Sequence, residues 1–491
     1  PADQQVQVNI DQTTSTSGSY TVLTTANVLI NEFMASNGSQ LPLVLGELLD
    51  GDGESSDWLE LFNADSLEVD ISGWYLTDNE NNLYKWEFPD SFPPLSAGAG
   101  YPIVFASGKD DANYPYIDPS GYYHTNFRLN VGGDYLALVA PDGATIVHDY
   151  NGCEYDVNEF GYPDQRRNYS YGIVSNDPNQ EHYFEIATPE MFNFFPLDGV
   201  VADTKFSVDR GFYETPFSVE ITTETEGADI HYTLDCSEPT ETYGTDYTGP
   251  IGVTGSTSLR AVAFKTDYLP TNVDTHTYIF LDDVLTQSDD QSALGLPSEW
   301  INGVSSSQPR MVRDADYEID PDVTLAKSDL TTIPAISIVM KADDWFGEYT
   351  GIYTNSMQRA SSDLFWEKPG SVELIYPNPN VGEEFQLNAG VRITGELARW
   401  PVVNKKQGIR LLFKGDYGPT KLRSSFFPDS DVERFDTLVM RSHWGSSWAQ
   451  EPNFTTHYPG YPSWLDSMDP TTALYIRDQY ALDCYRDTGH I

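Results

Sequence analysis

Asp50, Asp52, Glu54 and Asp57 lie in one short glycine-rich stretch, Asp50-Gly51-Asp52-Gly53-Glu54-Ser55-Ser56-Asp57. Carboxylate oxygens on a turn-prone segment are the hard ligands that Ca2+ prefers. Four such groups repel one another unless a cation neutralises them. The spacing lacks a twelve-residue EF-hand loop with its terminal bidentate Glu, so a plain solvated acidic turn is the competing reading. The eight histidines form no His-x-x-x-His or Cys/His grouping, which argues against zinc. No Gly-x-Ser-x-Gly elbow and no glycine-rich phosphate loop occurs. Asn37, Asn168 and Asn453 each head an Asn-x-Ser/Thr triplet, which matters only in a glycosylating host.

These residues have to be held by short strands. Val28-Leu29-Ile30, Trp58-Leu59-Glu60-Leu61-Phe62, Tyr101-Pro102-Ile103-Val104-Phe105 and Tyr135-Leu136-Ala137-Leu138-Val139 are apolar or alternating runs. Gly51-Asp52-Gly53, Ser72-Gly73, Gly98-Ala99-Gly100, Gly132-Gly133 and Pro141-Asp142-Gly143 punctuate them. Many short strands with regular turn signals predict a β-sandwich. A second set, Phe217 to Ile221, Ile230 to Leu234 and Ser258 to Phe264, alternates at period two and predicts another. Strand character returns at Ala335 to Met340, and the first convincing helical pattern is Thr471 to Tyr485.

Length and charge bound the rest. The 491 residues exceed one core and suggest about three domains. With 75 acidic and 27 basic residues the formal charge is −48, which repels nucleic acid and anionic membranes and suits salty surroundings. A hydrophobic fraction of 39% with 13% aromatics is ample for folded cores. Three cysteines, Cys153, Cys236 and Cys484, are too few for a disulfide scaffold, and their connectivity stays open. No apolar run near membrane-spanning length occurs. The sequence opens on Pro1, which reads as a processed or trimmed start.

Three family resemblances follow from ordered motifs. Leu29-Ile30-Asn31-Glu32-Phe33-Met34, Asp57-Trp58-Leu59-Glu60-Leu61-Phe62-Asn63, Ile71-Ser72-Gly73-Trp74-Tyr75-Leu76-Thr77-Asp78 and Phe127-Arg128-Leu129 resemble the lamin-tail domain. That resemblance implies an immunoglobulin-like sandwich with Trp58, Trp74 and Trp86 in its core. Arg210-Gly211-Phe212-Tyr213, Ile230 to Thr240, Leu259-Arg260-Ala261 and Thr277 to Phe280 are similar to the chitobiase C-terminal module. There Cys236 stands where the family turn has Gly, and in a secreted chain this motivates a Cys153–Cys236 pairing. Such modules accompany glycan-active enzymes without the catalytic carboxylates, so glycan binding is association only.

Trp366-Glu367-Lys368-Pro369, Val391 to Gly395, Ile409 to Leu422 and Phe435 to Arg441 resemble the CotH-type kinase domain. Counting back from Arg410 carries that family's phosphate-facing lysine onto Lys406, beside Lys405; Gln407 and Gly408 depart from the pattern. The sequence reaches Ile491 just where the resemblance implies aromatic-rich strands and then the acidic catalytic residues. No carboxylate in residues 334–491 matches the family's metal-binding acids. The remaining catalytic groups are therefore expected beyond Ile491, and residues 1–491 alone are expected to be inactive.

The expected architecture is mainly β, with two β-sandwich domains followed by an incomplete α+β kinase-like domain. Residues 1–26 read as a tether, 27–150 as the lamin-tail-like sandwich and 151–199 as an irregular connector. Residues 200–281 read as the chitobiase-like sandwich, 282–333 as a linker and 334–491 as the kinase-like part. The expected role is an adhesive, structural or matrix component outside the cell. An atypical secreted kinase using ATP and Mg2+, if the chain continues past Ile491, is the alternative, and a glycan-binding accessory protein the third. The partners so implied are other surface or matrix proteins, glycans or the chain itself, with no nucleic acid and no membrane span. Ca2+ is the one cofactor the loop itself suggests.

Overall fold

The computed structural model describes residues 26–38, 48–111, 114–150, 161–292, 296–302, 311–314, 317–319, 324–356, 366–395, 407–419, 421–425 and 432–441. Three β units follow one another along the chain. The first is a sandwich of a seven-stranded and a four-stranded sheet. Val28–Met34 lies at the middle of the larger sheet, antiparallel to Trp58–Asn63 on one side and to Ser170–Ile173 on the other. The smaller sheet is ordered Trp86–Glu87, Tyr75–Thr77, Leu136–Val139, Ile146–Tyr150. Both central strands of the larger sheet are buried along their whole length. Alternate side chains go to opposite faces of a strand, so this sheet is covered twice. One face, with Leu29, Leu59, Leu61 and Phe33, meets the smaller sheet. Met34, Trp58, Ile103 and Phe105 pack with Ala187 in a separate cluster.

Trp58, Trp74 and Trp86 are all buried, as the lamin-tail resemblance implies. Trp86, Phe88, Phe92 and Tyr123 form a chain of edge-to-face and tilted ring contacts with centroids 4.8 to 4.9 Å apart. That geometry is the one aromatic quadrupoles favour.

The stretch read as an irregular connector needs correction over its second half. Ser170–Ile173 and Glu181–Phe184 are strands that extend the larger sheet at one edge. Their short polar-aromatic runs carry a weak β signal, and pairing with the central strand is what makes them strands. The connector then enters the second unit directly, because Gly199–Val200 pairs in parallel with Tyr268–Leu269.

The second unit holds a five-stranded sheet ordered Gly211–Tyr213, Asp274–Phe280, Thr257–Phe264, Asp229–Thr233, Thr245–Asp246, faced by the pair Phe217–Val219 and Ile251–Val253. Val219, Ile221, Val253, Leu259, Ala261 and Tyr278 form its core. Residues 282–333, read as a linker, contain structure: a helix Leu281–Leu285, a hairpin of Glu299–Asn302 with Met311–Asp314, and a helix Lys327–Leu330. The third unit is an antiparallel meander of five strands, Ala335–Val339, Lys368–Ile375, Phe385–Thr394, Gly408–Leu412 and Thr437–Met440. The tether over 1–25, the helical pattern at Thr471 to Tyr485 and the end of the sequence at Ile491 lie outside the described residues. No described helix is long and apolar enough to cross a membrane.

Candidate functional site

The acidic loop forms a closed turn between the strands Val28–Met34 and Trp58–Asn63. Asp50 is its hub. One carboxylate oxygen accepts the N–H groups of Asp52 and Glu54 at 3.0 and 2.9 Å, and the other accepts the Ser56 hydroxyl at 2.8 Å. Short side chains that bond their own backbone two and four residues on are how Asp organises turns. Gly53 has φ 82°, a conformation glycine adopts without strain.

A lysine from elsewhere in the chain enters this loop. Lys109 Nζ lies 2.6 Å from Asp50, 2.7 Å from Asp52 and 3.2 Å from Glu54. Three of the four carboxylates singled out from sequence therefore converge, and the cation at their centre is an ammonium. Burial opposes the charge on Lys109, but hydrogen bonds to Asp50, Asp52 and Glu54 hold its pKa above the ordinary value. Burial also pushes the Asp50 carboxyl up, and the bonds from Lys109, Glu54 N–H and Ser56 outweigh it and leave the pKa lowered. Asp57 stands apart. Desolvation drives its pKa well up, against the opposing charge of Arg128 and a bond from the Leu129 backbone.

Below the lysine is a buried polar chain. The Ser107 hydroxyl is 2.8 Å from His124 Nδ1, and His124 Nε2 is 3.2 Å from Asp118 Oδ2. The sequence of groups is that of a hydrolytic triad. Ser107, His124 and Asp118 are only 3%, 0% and 4% exposed, so no substrate carbonyl reaches the hydroxyl. Asp118 also accepts backbone N–H groups of Gly51, Ser120 and Tyr122. The chain thus ties the acidic loop to the strand Tyr123–His124. Oxygens of Asp50 and Asp52 and a ring nitrogen of His124 lie within 4.8 Å of one another, a grouping of metal-ligand type. Both ring nitrogens are already engaged. A Ca2+ ion held by Asp50, Asp52 and Glu54 would take the place of the Lys109 ammonium.

Two further carboxyls are buried back to back. Glu32 and Glu60 are cross-strand partners in the central sheet. Glu32 accepts Thr188 N–H and hydroxyl and the Ser170 hydroxyl. Glu60 accepts Asn31 Nδ2 at 2.6 Å and Glu190 N–H at 2.8 Å. Desolvation pushes Glu32 up to about 7, and desolvation followed by repulsion from Glu32 pushes Glu60 up to about 9. Like charges facing across a ladder are destabilising, so holding protons is the lower-energy state.

Lys406, the candidate phosphate-binding lysine, lies outside the described residues, as does Cys153. So does Ile491, the position beyond which the other kinase groups are expected, and the described part of the third unit places none of them. Cys236 carries a free thiol and adopts φ 65°, in the left-handed region that favours glycine. In the third unit, Glu367 is a buried charge hub, met by Arg392 Nε at 2.5 Å and by Lys414 Nζ at 2.9 Å. It borders a cavity of about 930 Å³ where all three units meet, lined among others by Gln165, Arg166, Glu238, Asn388 and Tyr417. A second cleft of about 900 Å³ separates the second and third units and is lined by Tyr232, Asp235, Tyr243, Trp345 and Phe346.

Lys109, Asp118, His124, Glu32 and Glu60 were not singled out as site residues by spacing. Glu32 and Glu60 do stand inside the lamin-tail-like motifs, and that is the signal that points to them. Residues 21–151 match the family model of the Lamin Tail Domain, and residues 208–275 match that of the chitobiase/beta-hexosaminidase C-terminal domain. No curated protein matches the chain. Two unrelated families on successive stretches make this a modular protein.

Proposed function

We propose that the chain is an extracellular or cell-surface protein with an adhesive, structural or matrix role, its β modules serving as a joined scaffold. The observation that carries this reading is the polar bonding between modules, centred on the buried Glu373. The Thr277 hydroxyl and N–H, from the second unit, donate to the buried Glu373 of the third. Arg210 lies 3.4 Å from the same carboxylate. Ser36 of the first unit donates to the Gly415 carbonyl of the third at 3.1 Å. Modules joined in this way hold their spacing, and a charge of −48 keeps them dispersed in salt. The test is on intact producing cells. Added protease should degrade the protein, and deletion of its gene should weaken attachment to a surface or matrix. Full protection from protease together with unchanged attachment overturns the reading.

An atypical secreted protein kinase is the second reading. It is supported by the five-stranded antiparallel sheet, because Lys406 falls just before its strand Gly408–Leu412. Phosphoryl transfer also needs acidic ligands for Mg2+, which this reading assigns to residues beyond Ile491. Labelled ATP with acidic-protein substrates decides it. A natural chain extended past Ile491 that transfers label, and loses this with Lys406→Ala, favours the kinase. Transfer by residues 1–491 alone would place the catalytic groups elsewhere than at the family's positions. A glycan-binding role draws on the aromatic lining of the cleft at Tyr243 and Trp345, since sugar faces stack on such rings. Ca2+ belongs to the proposal only as a competitor of Lys109 for the loop.

A further inference from the structure

Between Ile186 and Phe195 the chain turns most of its large apolar side chains outward. Ile186, Met191, Phe192, Phe194 and Phe195 are all exposed, Met191 by 55% and Phe195 by 80%. Single exposed apolar residues need no explanation, but five on one loop do. The backbone is held in this form against local preference. Phe195 has φ 58° and Glu190 φ 63°, and a bulky residue in the left-handed region is an outlier sustained by its surroundings.

The loop is also fastened from below. Asn193 is buried and makes four bonds: its amide nitrogen donates to the carbonyls of Asn31 and Ile173 at 2.9 Å each, and its oxygen accepts Asn31 Nδ2 and the Thr188 hydroxyl. Thr188 and Glu190 N–H are fixed on Glu32 and Glu60. Ala187 is packed against Trp58 and Phe105. So the inward side chains Ala187, Thr188 and Asn193 anchor the loop while the aromatic ones face solvent. A surface already ordered loses little entropy on association.

We propose that residues 186–195 form a docking surface for a basic partner protein, whose apolar face packs on Phe192 and Phe195. Charge selects this partner. Glu185, Glu190 and Asp198 are exposed on or beside the loop, and the whole chain carries −48. A second copy brings the same charge and is repelled; an anionic lipid surface is repelled as well. Sinking the loop into a neutral bilayer would drag the Glu185 and Glu190 carboxylates out of water, which is unfavourable. A protein with basic groups around an apolar face satisfies both the rings and the rim, the pattern in which aromatic anchors carry most binding energy. This surface supplies a contact that an adhesive role needs. Because its test uses purified protein, it succeeds or fails independently of where the cell places the chain.

The probe is a synthetic amphipathic leucine–lysine helical peptide, with an oligolysine of equal charge as control, both titrated into purified 1–491 by calorimetry. Phe195→Asn removes the ring and suits the left-handed backbone, so folding is not at risk; Phe192→Ser is the second variant. Each should weaken the leucine–lysine peptide about tenfold, the size of one lost aromatic anchor, and leave oligolysine binding unchanged. Equal affinity of wild type and both variants overturns the proposal. So does binding to phosphatidylcholine vesicles that Phe195→Asn abolishes, or a dimer in sedimentation that it dissociates. Slow peroxide oxidation of Met191 in the free protein also overturns it, since the chain would then be covering its own loop.

Discussion

At the scale of single residues, Lys109 is a scarce cation in an acidic chain, and the fold places it where three carboxylates meet. Replacing it as Lys109→Met keeps the apolar stem and leaves Asp50, Asp52 and Glu54 uncompensated. With EDTA present the variant should lose about 2 kcal/mol, less than for a fully buried pair because solvent reaches the site. Ca2+ should restore part of that loss, while the wild-type melting temperature moves little with Ca2+. If wild type gains as much from Ca2+ as the variant does, the ion and the lysine do not compete. The pH sign follows from the lowered pKa of Asp50. Its contribution is present at neutral pH and disappears on acidification below the ordinary value of 3.8.

At the scale of elements, the paired strands Val28–Met34 and Trp58–Asn63 carry the opposite dependence. Glu32 and Glu60 are held above their ordinary value of 4.5, so the folded chain binds protons that the unfolded chain has released. Stability from this pair is complete below about pH 4.5 and falls as pH rises through about 7 for Glu32 and about 9 for Glu60. Urea unfolding at intervals from pH 5 to 9 should therefore show declining stability, with a limiting slope of about 1.4 kcal/mol per pH unit for each proton. Glu60→Gln should flatten the curve, most of all between pH 7 and 9. It should also cost about 1 kcal/mol at pH 5, since an amide accepts from only one of the Asn31 and Glu190 donors. An unchanged slope in Glu60→Gln would mean that the pair is ionised in the fold.

At the scale of the molecule, the three units are joined by a few bonds that removal of one side chain can break. Glu373 is buried and accepts from Thr277, with Arg210 close by. Glu373→Ala leaves Arg210 facing the junction without this carboxylate. It should cost about 3 kcal/mol of coupling and split a shared calorimetric transition into separate ones for the second and third units. The approach of the first and third units is just as close. A Cβ on Gly415 would collide with Val131 across the junction, so Gly415→Ala should loosen that contact while each unit stays folded. Unchanged calorimetry for both variants would show that the units melt independently already.

The sequence by itself determined the β class, the lamin-tail and chitobiase-type modules in their order and the burial of Trp58, Trp74 and Trp86, because alternation, turn residues and motif order are local properties of the chain. It also marked Asp50, Asp52, Glu54 and Asp57 as a loop in need of a positive charge, and of these only Asp57 stands apart from the cation. The source of that charge was decided only by tertiary structure, since Lys109 is 59 residues from Asp50 and no spacing rule connects them. The same holds for Thr188 on Glu32, 156 residues apart, and for the strands Ser170–Ile173 and Glu181–Phe184 within a stretch that reads as irregular. Cys236 sits between these cases. The motif exposed the missing glycine, and only the structure shows that the residue in its place sits at φ 65°, where glycine is favoured. Periodicity reports which face of an element is apolar. Which distant groups meet depends on strand order and register, and these exist only once the sheets have assembled.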